Sequence, residues 1–198
     1  MIISYRDKRT ERFANGGHVR EFSGFARQAE IRLDRLEAAT SLKDLAALPG
    51  NRLEGLKATG RASIAFASTI NGGFASSGLK VRTARSMSRL SIIIRRHLMA
   101  RTPIHPGEHL AEELKGLRIS AAELSRQIDV PVNRITAIIN GQRGVTADTA
   151  LRLGHWFGTS PEFWLNLQTL YELRLAREEL GDRVEKLPTL SKRQVRHS

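Results

Sequence analysis

Apolar residues in the second half of the chain recur every three or four positions, the spacing that places side chains on one face of an α-helix. Start and stop signals divide this half into segments: Pro106 and Gly107 open the first, and Ser160-Pro161-Glu162 opens the last. The pattern predicts five helices, at about 106–117, 120–128, 131–139, 146–157 and 160–180. In the first half, residues 20–39 show the same period through Phe22, Phe25, Ala29, Leu33 and Leu36.

The rest of the first half is less regular. Residues 2–5 and 52–57 fit short strands, and residues 42–48 fit a helical turn or an extended segment. Residues 58–98 are rich in Ala, Ser, Gly and Arg and lack the two-residue alternation of a half-buried strand. This composition predicts an irregular linker or a poorly specified edge hairpin.

The second and third predicted helices are joined by a corner at Asp129-Val130. Asp tolerates the left-handed backbone that such a corner needs, and Pro131 suits the start of the next helix. We expect this helix pair to be held by an apolar set formed by Leu124, Ile128, Ile135, Ile138 and Ile139. The other faces of the later helix are small, polar and basic, which is what a helix needs to enter the major groove of DNA.

Two groups of residues are therefore candidates for DNA contacts. The first turns of the later helix would read base edges through Val132, Asn133, Arg134, Thr136 and Ala137. The flanking segments would bind the phosphate backbone through Ser120, Asn140, Gln142 and Arg143. Two alternatives stay open: Arg134 as a solvated surface charge, and Asn140 as the C-cap of its helix.

The last predicted helix carries an apolar stripe made of Trp164, Leu167, Tyr171 and Leu175. Its aromatic rings could form a stacking surface, but their helical spacing favours packing in the core or between two subunits. Because one small domain does not need so many apolar positions on one helix, we expect this helix to help form a homodimer.

The charge of the chain favours a polyanionic partner, since its formal net charge is +12. That charge is uneven: residues 1–98 contain 18 Lys+Arg and 8 Asp+Glu, whereas residues 99–198 contain 14 and 12. The predicted helix-turn-helix thus lies in the nearly neutral half. Charge alone is therefore weak support for DNA binding.

The residues do not support a thiol-dependent, metal-dependent or membrane-bound function. The chain has no cysteine, which excludes disulfides and thiolate chemistry, and its six histidines show no ligand spacing. We therefore expect no metal and no cofactor. The chain has no apolar run long enough for a membrane span, which predicts a cytoplasmic protein without a membrane partner.

Residues 100–182 resemble the HigA antitoxins of addiction modules, which have a Cro/C1-type (lambda repressor-like) fold of five helices. The resemblance is carried by Pro106-Gly107-Glu108, Asn133-Arg134-Ile135, Ile138 to Arg143, Thr146 to Leu153 and Phe157 to Gln168. It implies a sequence-specific repressor of a HigB–HigA type II toxin–antitoxin module. Its partners would be double-stranded operator DNA, a second copy of the chain and a HigB-type toxin. The chain departs from the family pattern at Ser125, Asp129 and Pro131.

Residues 1–57 resemble the front half of the HigB toxins, which are RelE-like mRNA endonucleases with an α+β fold. The similar segments are Ile3 to Lys8, Ala38 to Leu45, Leu48 to Leu53 and Leu56-Lys57. The later strands and C-terminal tail, which carry the decisive residues in that family, are not recognisable here, so we assign no catalytic residue and expect no enzyme. A shifted reading frame across residues 62–94 can encode segments similar to the missing strands, which suggests a frameshift near residue 60.

The sequence thus predicts a mainly α-helical chain with four parts. These are a toxin remnant at 1–57, an irregular linker at 58–102, a DNA-binding domain at 103–182 and a flexible tail at 183–198. One alternative is an active fusion of an mRNA endonuclease with its antidote. A second alternative is a basic RNA-binding protein, although Phe66 and Phe74 are the only aromatic residues between 55 and 101. Translation from Met1 or from Met99 also stays open.

Overall fold

The computed structural model describes residues 8–51 and 101–188, and the backbone of four short strands at 2–4, 53–55, 64–66 and 78–81. Most of the predicted linker and residues 189–198 of the predicted tail lie outside the described residues. The described chain is mainly helical, in agreement with the predicted fold class.

The first half begins with helix α1 (Lys8–Ala14) and continues through a 3-10 helix (Arg20–Phe25), helix α2 (Ala26–Ala38) and helix α3 (Leu42–Ala47). The single helix predicted for residues 20–39 is therefore wrong in its first six residues. Ser23 donates its hydroxyl to the Arg20 carbonyl at 2.8 Å, and Gly24 is a weak helix former, so both oppose a regular α-helix there. A Ser41–Asp44 capping box starts α3.

The four strands are β1 (Ile2–Ser4), β2 (Leu53–Gly55), β3 (Ile64–Phe66) and β4 (Gly78–Val81). They form an antiparallel sheet in the order β1-β4-β3-β2. The prediction of an irregular linker is therefore wrong at β3 and β4. These strands pair with each other as in the alternative of a hairpin, although they lie inside the sheet and not at its edge. These segments lack an alternating pattern of their own. Their extended form comes from pairing, of β3 with β2 and β4 and of β4 also with β1, which local propensity does not encode.

The second half contains the five predicted helices. They are α4 (Pro106–Leu117), α5 (Ala121–Gln127), α6 (Val132–Ile139), α7 (Ala147–Phe157) and α8 (Pro161–Leu180), followed by a 3-10 helix at Gly181–Arg183. Ser120 and Ser160 cap α5 and α8 through side-chain oxygens. Thr146, the N-cap residue of α7, makes no such bond, and its hydroxyl lies 3.3 Å from the hydroxyl of Thr149.

Two close backbone approaches fix how these helices pack. Gly107 lies so near the Ile138 carbonyl that a Cβ atom there would overlap it, so glycine allows the start of α4 to meet the end of α6. Gly154 similarly allows α7 to approach the start of α8, where a Cβ would lie 3.0 Å from the Pro161 nitrogen. Helix α6 is thus packed directly against the domain core.

One hydrophobic core joins the two halves. It includes Leu110, Leu124, Ile135, Leu153 and Trp164 from the second half, together with Ala38 and Leu48 from the first. A second, smaller cluster around Phe13, Leu33, Leu36 and Leu45 lies within the first half. Residues 8–51 are therefore packed onto the helix-turn-helix domain.

Buried ion pairs reinforce this packing. Asp34 on α2 accepts two hydrogen bonds from Arg174 on α8, at 2.6 and 2.7 Å. Arg35 lies 2.8 Å from Glu112 and 2.7 Å from Glu113, both on α4. Arg101, which the sequence placed in the linker, is buried with its guanidinium 3.3 Å from Asp34 of α2.

Candidate DNA-binding face

The apolar side of α6 is anchored in the core. Ile135 and Ile138 are fully buried, as is Leu124 of α5, and Ile128 is nearly so. Ile139 is half-buried at the core margin. The structure thus brings the five residues of the predicted apolar set together and holds α6 in a fixed orientation relative to α5.

The opposite side of α6 faces outward. Val132, Asn133 and Thr136 are exposed, and Arg134 and Ala137 are half-buried. The Thr136 hydroxyl donates to the Val132 carbonyl at 3.0 Å, which keeps this side chain close to the helix surface. These exposures hold with residues 8–51 in place, so residues 8–51 leave the outward side of α6 uncovered.

The three residues at which the chain departs from the family pattern lie in α5 and in the corner between α5 and α6, and each is accommodated there. Asp129 adopts the left-handed conformation with φ of 54°, as the sequence predicts. Pro131 occupies the N-cap of α6, one position before the helix, and supplies no side-chain cap. Ser125 is fully buried, and its hydroxyl is satisfied by the Ala121 carbonyl at 2.6 Å.

Arg134 is the most constrained of the candidate base contacts. Its guanidinium pairs with the carboxylate of Asp148 in the first turn of α7. Arg152, one turn later, donates to the other Asp148 oxygen at 3.1 Å and to the carbonyls of Ile128 and Asp129 at 2.7 and 3.0 Å. The hydrogen bonds from Arg152 and then Arg134 lower the pKa of Asp148.

Sequence reasoning missed Asp148 and Arg152 as parts of this face. The four-residue spacing of the two residues indicates an intrahelical pair, but nothing local shows that Arg134 joins it, because α6 and α7 are separated by a loop.

The candidate phosphate contacts surround α6. The Ser120 hydroxyl accepts from the Glu123 amide at 3.1 Å and so caps α5. Asn140 is the C-cap of α6, which fits the alternative interpretation, and its side chain is exposed. Gln142 and Arg143 are also exposed, in a loop whose amides donate to the Ala137 carbonyl.

The stripe on α8 divides into two parts. Trp164 and Leu167 are buried in the core, and Tyr171 is half-buried with its ring 4.8 Å from that of His105. Leu175 is exposed, together with Leu173 and Leu180. The beginning of α8 therefore packs into the core of this chain, and the exposed apolar side chains of α8 lie towards its C-terminal end.

The part of the chain that the structure describes contains neither a metal-binding group of side chains nor a membrane-spanning helix. Its His, Asp and Glu side chains form no group of three or more that could hold a metal ion. No helix among the described residues has the length and apolar character needed to cross a membrane.

Comparison with known proteins assigns the chain to a family. No protein-family model matches it. It is 49% identical over 77 residues to virulence-associated protein I of Dichelobacter nodosus, across 38% of this chain and 71% of that protein. It is 39% identical over 75 residues to antitoxin HigA-1 of Vibrio cholerae, across 37% of this chain and 70% of that protein. The chain belongs to the HigA family of helix-turn-helix proteins.

Solved structures include further HigA relatives. The chain is 42% identical to the Pseudomonas aeruginosa antitoxin HigA, whose structure was determined with higBA promoter DNA. That similarity covers 45% of this chain and 99% of the other, with a TM-score of 0.43. The HigA relatives thus correspond to less than half of this chain.

Proposed function

We propose that this protein is a sequence-specific DNA-binding antitoxin and transcriptional repressor of a HigB–HigA type module, with an inactive toxin fragment at its N-terminus. The observation that carries the proposal is the two-sided character of α6. Ile135 and Ile138 anchor one side in the core, while Val132, Asn133 and Thr136 are exposed on the other and left uncovered by residues 8–51. A helix held in this way can enter a major groove without rearrangement of the domain.

We assign the two kinds of DNA contact to different residues. Asn133 and Arg134 would donate to base edges in the major groove, with Thr136 as a further polar contact and Val132 or Ala137 against a thymine methyl. Ser120 with the N-terminus of α5, and the exposed Asn140, Gln142 and Arg143, would lie near phosphates. The first group would set sequence preference, and the second would set affinity.

A homodimer is the proposed binding form. Leu173, Leu175 and Leu180 leave apolar surface on the C-terminal part of α8, which suits contact with a second subunit. Two copies of α6 would then meet half-sites about one helical turn apart in a two-fold operator. A separate HigB-type toxin is a further proposed partner. It would have to bind outside the face of α4 and α8 on which α2 already lies.

The test of the main proposal is binding of the full chain to its own upstream DNA and to a shuffled duplex over a range of salt concentrations. Arg134→Ala should weaken binding to the upstream DNA by about 1–3 kcal/mol and change binding to the shuffled duplex less. Arg143→Ala should weaken both and reduce the salt slope by about 1. Arg9→Ala, which removes an exposed arginine on α1, serves as the matched control.

Equal affinity of the unmodified chain for upstream and shuffled DNA would overturn the proposal. The toxin fragment is tested separately, by adding the full chain to a translation reaction and following the mRNA. Intact mRNA is expected, because the family's catalytic segments have no counterpart here. Ribosome-dependent cleavage would support the alternative of an active endonuclease.

A further inference from the structure

A single carboxylate links the recognition helix to its surroundings. Asp148 on α7 pairs with Arg134 of α6 through one oxygen and with Arg152 of its own helix through the other, at 3.1 Å. Arg152 in turn donates to the carbonyls of Ile128 and Asp129, which form the corner of the helix-turn-helix. The position of Arg134 is thereby tied to the corner through Asp148 and Arg152.

The exposure of these side chains shows that the link can open. The exposed fractions are 24% for Arg134, 55% for Asp148 and 37% for Arg152. Ion pairs at such exposure are weak, because water screens them. Arg134 can therefore leave Asp148 for a DNA group when that group offers a better geometry. The Asp148 carboxylate therefore competes with DNA groups for the Arg134 guanidinium, whatever the DNA sequence.

The competition affects correct and incorrect sequences differently. A phosphate offers the same charge in any sequence, whereas a guanine offers two acceptors that match the planar guanidinium. Without a competing carboxylate, Arg134 would be free to neutralise a phosphate of any duplex. With Asp148 in place, part of that charge is already offset, and the guanidinium is held near the outward side of α6.

We infer that Asp148 is a positioning residue that sets sequence discrimination by restraining Arg134, an inference that rests on the proposed DNA-binding function. Asp148 touches no DNA in this assignment. It acts by making non-specific phosphate contacts of Arg134 less favourable. The helix dipole gives Asp148 a second, purely structural use at the start of α7, so the test must separate the two roles.

The experiment compares Asp148→Asn with Glu162→Gln in the full chain. Glu162 is also an exposed acid in the first turn of a helix, so both changes remove one negative charge from the same kind of position. Asp148→Asn should tighten binding to a shuffled duplex and raise its salt slope by about 1, because Arg134 gains a phosphate. The affinity ratio of upstream to shuffled DNA should fall by about three- to tenfold. Glu162→Gln should leave the ratio and the slope unchanged.

Two more variants identify Arg134 as the residue through which Asp148 acts. In an Arg134→Ala background, Asp148→Asn should no longer change the ratio, whereas a role confined to α7 would leave its effect intact. Asp148→Glu keeps the charge and should retain most of the discrimination. Circular dichroism of each variant shows whether the helix content of the chain is unchanged, and Asp148→Glu tests the inference even where Asp148→Asn is poorly folded.

An unchanged ratio and slope in Asp148→Asn, or an equal effect in the Arg134→Ala background, would overturn the inference. Failure of the proposed function has a different signature. In that case the unmodified chain does not prefer its upstream DNA, and there is no ratio for Asp148 to set.

Discussion

At the scale of single residues, His109 links the fold to pH. It is buried on α4 with 1% of its surface exposed, and neither ring nitrogen has a hydrogen-bond partner among the described residues. Burial lowers the pKa of His109 well below its ordinary value near 6.5, and the nearby guanidiniums of Arg35 and Arg174 lower it further. The imidazole is therefore neutral in the folded chain at neutral pH.

Acidification should destabilise the protein through this residue. Below about pH 6.5 the unfolded chain binds a proton at His109 that the folded chain does not, so the free energy of unfolding should fall by about 1.4 kcal/mol per pH unit. Urea unfolding at about pH 7.5 and about pH 5.5 measures the loss. His109→Leu should reduce it, whereas the same change at the exposed His155 should not. Equal slopes in His109→Leu and the unmodified chain would contradict this prediction.

At the scale of helices and their connections, two non-glycine residues hold strained backbone conformations. Arg118, the C-cap of α4, has φ of 58°, and Asp129, in the corner before α6, has φ of 54°. A side chain with a Cβ atom pays a steric cost in this region, which glycine avoids. The corner should therefore be more stable with glycine at position 129 than with aspartate.

Asp129→Gly should therefore raise the free energy of unfolding by about 0.5–1 kcal/mol, since relief of the left-handed strain exceeds the entropy that glycine adds to the unfolded chain. Gly141→Ala is the opposite control, because Gly141 has φ of 71° and should lose stability when it gains a Cβ. Urea denaturation of both variants gives the values. A loss of stability in Asp129→Gly would instead show that the distant contact of Asp129 with Arg152, at 3.9 Å, contributes more than the strain.

At the scale of the whole molecule, charge pairs join the two halves. Asp34 and Arg174 are 2% and 0% exposed, and Arg101 lies beside them. Buried pairs of this kind need both partners, since either charge alone would remain desolvated without compensation. The contact between the halves is therefore sensitive to the loss of one carboxylate.

Asp34→Asn should lower the free energy of unfolding by about 3–5 kcal/mol, because it leaves the Arg174 guanidinium buried with less compensating charge. Glu123→Gln removes one charge from an exposed pair with Arg126 and should cost much less, because water screens that pair. Thermal or urea unfolding of the full chain compares the two. Similar small losses in both variants would mean that residues 8–51 separate from the second half before the domain unfolds.

Local signals in the sequence predicted the second half well. The periodicity of apolar residues located α4 to α8, and Ser120, Ser160 and Asp129 marked helix starts and the corner, because each acts on residues within one helical turn. Burial of Ile135 and Ile138 and exposure of Asn133 follow from the same period. These features depend on neighbours in the chain, so a single sequence contains them.

Contacts between distant residues were decided by the tertiary structure. Asp34 and Arg174 lie 140 positions apart, and no periodicity relates them. The pairing of β1 with β4 and the link between Arg134 and Asp148 are of the same kind. Their physical reason is that a buried charge, or a strand without its own alternation, takes its conformation from the partner that the fold brings to it. The sequence by itself determined helix α6, and the fold determined which side chains hold Arg134.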